Sequence, residues 1–193
     1  MSLTPYIQQI QVHLIQTLAQ FLYRFKLEEP ILHYRPRPEA WTAFEILEHV
    51  SLTSHYLLIL IDKGTGKALR NIKGLSLEEE LANFDFDLEK LEAIGITKAF
   101  PWPHPEHMTP RGDKSLIEIQ QELIQQLARC LNYLEDLKNG EGLLYQTTMT
   151  VNDLGKLNVY EYIYFLSMHM QRHDEQIEQN RLAYFRSLQA GGE

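Results

Sequence analysis

Cysteine is almost missing from this chain. The only one in 193 residues is Cys130. That excludes an internal disulfide, a cysteine-based zinc site and a C-x-x-C redox pair. Long apolar runs are missing too. The longest, YLLILI at 56–61, falls far short of the roughly 20 residues a membrane-spanning helix needs, so no membrane partner is expected. Basic charge is scarce: 18 Lys and Arg stand against 26 Asp and Glu, a formal charge of −8. Such a balance has no phosphate-binding footprint, so no nucleic acid is expected as a partner. The first residues, MSLTPYIQQI, lack a basic stretch followed by an apolar core, so no signal peptide is read and the cytoplasm is the expected location. There is also no G-x-S-x-G elbow, no Walker loop and no Rossmann glycine pattern.

What is present is the balance of a globular protein, 44% hydrophobic and 23% charged, and its length suits one domain over 1–193. Four long segments carry the 3.6-residue period. The first, 5–26, is expected to start on Thr4 as N-cap with Pro5 in the first turn, and buries Ile7, Ile10, Leu14, Leu18, Phe21 and Phe25. The second, 42–63, opens on a capping box of Thr42 and Glu45, with Trp41 and Ile46 as a staple, and is expected to end before Gly64 and Gly66. Shorter helices are expected at 77–83, behind a Ser76–Glu79 box, and at 87–94. The segment PWPHPEHMTPRGD, with four prolines in thirteen residues, cannot be a helix interior. The third long helix, 115–138, has a Ser115–Glu118 box. The fourth begins after Asn158, with Glu161 at N3, and reaches 188. No convincing strand is read, although 147–151 is β-branched enough to be extended. The expected fold is all-α, a four-helix bundle. The long crossover between the second and third long helices gives an up-down-down-up order.

Helix geometry sorts the eight histidines. With Leu166 as zero, His173 lies at about −20° and His169 at about −60°, on the apolar side of the fourth helix. They stand four apart, on adjacent turns, and can grip one ion. His49 falls among Phe44, Leu47, Val50 and Leu57 on the second helix. His55, six residues on, is turned about 120° away from it. Nothing in their spacing pairs His13, His33, His104 or His107. A lone inward histidine is more often a hydrogen-bonded core residue than a ligand. A pair is different, because burying two adjacent imidazoles requires a partner for both. No Glu follows His169, so a metalloprotease general base is absent. Cys130 reads as a small core residue.

Two segments carry a family resemblance. One is Trp41-Thr-Ala-Phe-Glu-Ile-Leu-Glu-His49; the other runs from Gly155-Lys-Leu157 through Glu161 to His169-x-x-x-His173-x-x-Gln176-Ile177. In their order and spacing the chain resembles the DinB-like (YfiT-like) superfamily of metalloenzymes over essentially its whole length. The resemblance implies a four-helix bundle whose divalent metal is held by one histidine of the second helix and two of the fourth, here His49, His169 and His173. It also implies a homodimer and, for some members, transfer or isomerisation reactions that use a low-molecular-weight thiol such as bacillithiol or mycothiol.

Three neutral histidines would leave a divalent ion its full charge and an open position, the catalytic rather than the structural pattern. Imidazoles suit zinc, nickel, copper and iron alike. An open position can serve a thiol or a water, and nothing in the motif separates the two; the family resemblance implies thiol S-transfer on a small-molecule substrate, ahead of hydrolysis. A non-enzymatic metal- or ligand-binding bundle is the rival. Around the site, Gln176 is placed to orient a ring. Glu45 is explained by its capping box. Thr53 and Tyr56 share the His49 face. Trp102, His104 and His107 lie on a proline-rich loop long enough to cover a pocket.

Overall fold

The computed structural model describes residues 3–85, 88–100, 102 and 105–190. Among the described residues the protein is mostly helical, with one small two-stranded sheet. The four long helices are α1 (Thr4–Leu22), α3 (Ala43–Asn71), α6 (Leu116–Asp136) and α7 (Val159–Ala190). Short helices α2 (Glu29–Leu32), α4 (Leu77–Asn83) and α5 (Glu89–Glu92) lie in the connections. Asp87, the expected start of the 87–94 helix, lies outside the described residues.

Capping chemistry sets the helix starts. The boxes Thr42–Glu45 and Ser115–Glu118 are closed in both directions. At α4 only half of the expected box forms: Ser76 Oγ accepts from Glu79 N. Asn158 caps α7, its Oδ1 accepting from Glu161 N at 3.1 Å while Asn158 N donates to Glu161 Oε2 at 2.8 Å. Three expectations need correction. α1 starts one residue early, with Leu3 rather than Thr4 in the N-cap position and no side-chain cap bond. α3 runs through Gly64 and Gly66 to Asn71. The glycine penalty of about 1 kcal/mol is outweighed by packing: a Cβ on Gly64 would lie 3.2 Å from Val159 Cγ2, and Thr65 and Ala68 beyond it are buried. Finally, β1 (Gln146–Met149) and β2 (Gly155–Asn158) form an antiparallel hairpin, with Gln146 opposite Asn158 and Met149 opposite Gly155. Asn152, Asp153 and Gly155 take positive φ to turn the chain.

Cross-helix contacts close the helices around one core that runs from Leu3 to Ile177. Along α1 and α7, Tyr6 meets Tyr160, His13 Nδ1 lies 2.8 Å from Ser167 Oγ, and Arg24 donates to Glu178 at 2.6 Å. Between α3 and α7, Asn180 donates to the Trp41 carbonyl at one end and Gly64 meets Val159 at the other. Between α3 and α6, Ser51 donates to Glu122 and Tyr133 to Asp62. Among the described residues α3 alone is long and apolar enough to cross a membrane, yet most of that stretch is buried against its neighbours, as in any core helix.

An acid-sensitive tie joins α1 to α7. The Arg181 guanidinium, helped by Arg24 and opposed by burial, holds the Glu178 carboxyl down at about 2, against an ordinary 4.5. A depressed carboxylate stabilises the fold above its unfolded pKa and loses that contribution as pH falls through the folded one. The urea midpoints of wild type and Glu178→Gln are therefore expected to differ at pH 7 and to converge as pH falls from 4.5 towards 2. A gap that stays constant over that range would contradict the assignment.

Candidate metal centre

The α3 capping box fixes where that helix starts, and His49 follows two turns later on the inner face. His169 and His173 come from adjacent turns of α7. The three side chains are 4%, 3% and 8% exposed, and one nitrogen from each lies within 4.8 Å of the others. His173 Nε2 is 3.1 Å from His169 Nε2.

The outer nitrogens say how the rings are held. His49 Nδ1 lies 2.8 Å from the Met108 carbonyl, and His173 Nδ1 lies 2.9 Å from Gln176 Oε1. Both oxygens can only accept, so each Nδ1 carries a proton, and Nε2 is the atom left to offer a lone pair inward. Burial, reinforced by His173 and His49, pushes the His169 pKa well below its ordinary value. Three imidazoles that converge in a buried space are a donor set that could hold a divalent metal ion.

Supporting groups come from the two helices themselves and from the proline-rich loop. Glu48, 1% exposed, accepts from the backbone N–H of Arg111 at 3.1 Å and of Gly112 at 2.8 Å. It clamps the proline-rich loop to α3, and that loop delivers the Met108 carbonyl. Trp41 packs on His49 with ring centres 4.6 Å apart, and Trp102 on His169 at 5.3 Å. Asp174, next to His173, is held by Arg24 and Gln20. Glu48 and Asp174 could have been suspected as carboxylates adjacent in sequence to inward histidines; Met108 left no such signal.

Above the histidines opens a cleft of about 370 Å³. The loop residues Trp102, Pro105 and Met108 line it, as do Met149, Thr150 and Val151 at the turn end of the hairpin. Thr53 lines it too, with Oγ1 3.5 Å from His49 Nε2. Tyr56 does not, and packs instead against His107 and His55. The other histidines stay apart: His55 and His107 are exposed, His33 pairs with Glu29, and His13 bonds Ser167 and Gln171. His104 lies outside the described residues. Glu45 serves the capping box and Arg35. Cys130 is buried and its thiol is pushed up to about 12 by burial, which makes it inert.

The family model of the DinB superfamily matches residues 13–177. The chain belongs to that superfamily. No curated protein and no solved structure matches it significantly. The match spans all three histidines of this DinB protein together with Gln176, whose bond to His173 is the ring-orienting contact expected from its spacing. Outer partners of metal-binding histidines commonly change affinity 10- to 100-fold. Gln176→Ala is therefore expected to weaken metal binding about tenfold without abolishing it. Competition against a chelator checks this, and unchanged affinity would remove Gln176 from the site.

Proposed function

We propose that this DinB protein is a metal-dependent enzyme acting on a small molecule, by S-transfer from a low-molecular-weight thiol. The observation that carries the reading is the convergence of His49, His169 and His173 at the base of a cleft large enough for a small substrate. A divalent ion held by these three would supply positive charge that favours thiolate over thiol. The chain's own residues do the rest. Met108 and Gln176 keep the His49 and His173 rings oriented. Trp41, Trp102 and Phe165 exclude water from the base of the cleft. The Thr53 hydroxyl stands within reach of a group bound beside His49. No Asp or Glu lines the cleft among the described residues. A carboxylate base for activating water is therefore not at hand, which favours S-transfer over hydrolysis.

The fold is read as a four-helix bundle in up-down-down-up order. Contacts support this: residues 6, 13 and 24 meet 160, 167 and 178 in rising order, 41 and 64 meet 180 and 159 in falling order, and 51 and 62 meet 122 and 133 in rising order. A homodimer is proposed from the family resemblance, and the cytoplasm as its location from the lack of a signal-peptide pattern in the sequence; sedimentation at the 22.6 kDa of one chain would contradict the dimer. The reaction is tested by screening the metal-loaded protein for conjugation of small thiols to electrophiles and for hydrolysis of small esters and amides. Conjugation that disappears in His169→Ala is expected. Hydrolysis alone would make it a hydrolase, and neither activity with metal retained would make it a binding protein.

A further inference from the structure

We infer that the cleft takes a small anion with an apolar body, and that Arg172 receives the anionic group. The inference rests on the reading that this cleft is the substrate site, and it adds the substrate's charge and character. Among the described residues that line the cleft, Arg172 is the one with a permanently charged side chain. It is half-buried, like Arg24 and Arg181. Those two hold carboxylates at 2.6–2.7 Å. Arg172 has no carboxylate within ion-pair distance among the described residues. The carboxylate whose charge reaches it, Glu175 three residues on, is exposed and accepts from the backbone N–H of Thr97 at 3.2 Å.

What Arg172 does have are neutral partners. Its Nη1 donates to the Ile96 carbonyl, and its guanidinium lies 5.3 Å from the ring centres of both Phe100 and Trp102. These contacts hold the group in place and offset part of its desolvation, but they do not neutralise it. A planar guanidinium presents five N–H donors, so fixing one on Ile96 leaves donors for an oxyanion. Trp102 lies between the two ends of the site, 5.3 Å from the Arg172 guanidinium and 5.3 Å from the His169 ring. Much of the remaining lining, Leu57, Leu60, Met149, Val151 and Phe165, is apolar. A wholly polar anion would leave that surface against water. A neutral apolar molecule would leave the cation without a counter-charge inside the cleft. An anion with an alkyl or aryl body satisfies both.

Both tryptophans of the chain line the cleft, so intrinsic fluorescence reports binding directly. The probes are 3-phenylpropane-1-sulfonate and the matching neutral methyl sulfone. A sulfonate is a poor metal ligand, so its preference reads Arg172 rather than an ion at the histidines. Titrations are run on metal-loaded and on chelator-treated protein. In both, the sulfonate is expected to bind at least about tenfold more tightly than the sulfone. In Arg172→Gln that preference is expected to vanish while sulfone affinity is unchanged. Equal affinities in wild type would overturn the inference. So would a preference retained in Arg172→Gln, or an equal loss for both probes, which would leave Arg172 as a pin for the loop. Conjugation without anion preference would sink this inference alone, whereas anion preference without conjugation would sink only the proposed reaction.

Discussion

Alanine at His49, His169 or His173 is expected to cut bound metal at least tenfold, while His55→Ala stays near wild type. Each of the three supplies one nitrogen to a group within 4.8 Å, and two remaining imidazoles cannot reproduce the geometry of three. Loss from His49→Ala is the sharpest case, because that ligand comes from α3 and the other two from α7. The fold is expected to survive all four substitutions, since the core from Leu3 to Ile177 is apolar and does not depend on an ion. Elemental analysis after exhaustive dialysis, with circular dichroism alongside, checks both halves. Full metal retention in His49→Ala, or equal loss from His55→Ala, would remove the triad. The enzyme reading would then lose its main chemical support.

Gly142→Ala is expected to destabilise the fold by about 1–3 kcal/mol. A Cβ there would sit 2.7 Å from Cε2 and Cζ of Tyr160. That ring cannot swing aside. Tyr160 is fully buried, its hydroxyl donates to the Leu137 carbonyl, and it accepts from Gly142 N at 3.2 Å. Either the ring moves and both bonds loosen, or the 141–144 turn leading into the hairpin moves. For a chain of this size each kcal/mol lowers Tm by about 2–4 °C. Gly74→Ala is the control, because nothing lies within 4 Å of a Cβ at that position. Thermal unfolding within about 0.5 kcal/mol of wild type for Gly142→Ala would show that the turn yields freely.

The long helices and the inward set of His49, His169 and His173 are legible from period and capping, because helix geometry is local. The end of α3 is not. Gly64 reads as a stop, yet there its missing side chain lets Val159 approach. Only the packing of a helix nearly a hundred residues later shows that. The hairpin is half hidden for a similar reason: β1 carries Thr147 and Thr148, whereas β2 is Gly-Lys-Leu-Asn and becomes a strand only through pairing. The cleft is the least legible part. Its walls combine Trp102 and Met108 from an irregular loop with Met149 and Val151 at the turn end of the hairpin. No local rule brings these segments over His169. The buried Glu48 carboxylate that ties the loop to α3 likewise has no signature beyond its place next to His49.

The central claim is that α3 and α7 together bind one divalent ion. The most direct test is anomalous diffraction from crystals of protein loaded with zinc, nickel or iron, with data collected on both sides of that metal's absorption edge. A single edge-dependent peak about 2.0–2.2 Å from one nitrogen each of His49, His169 and His173 is predicted. A peak touching only the two α7 histidines, a peak elsewhere, or none at full metal loading would contradict it.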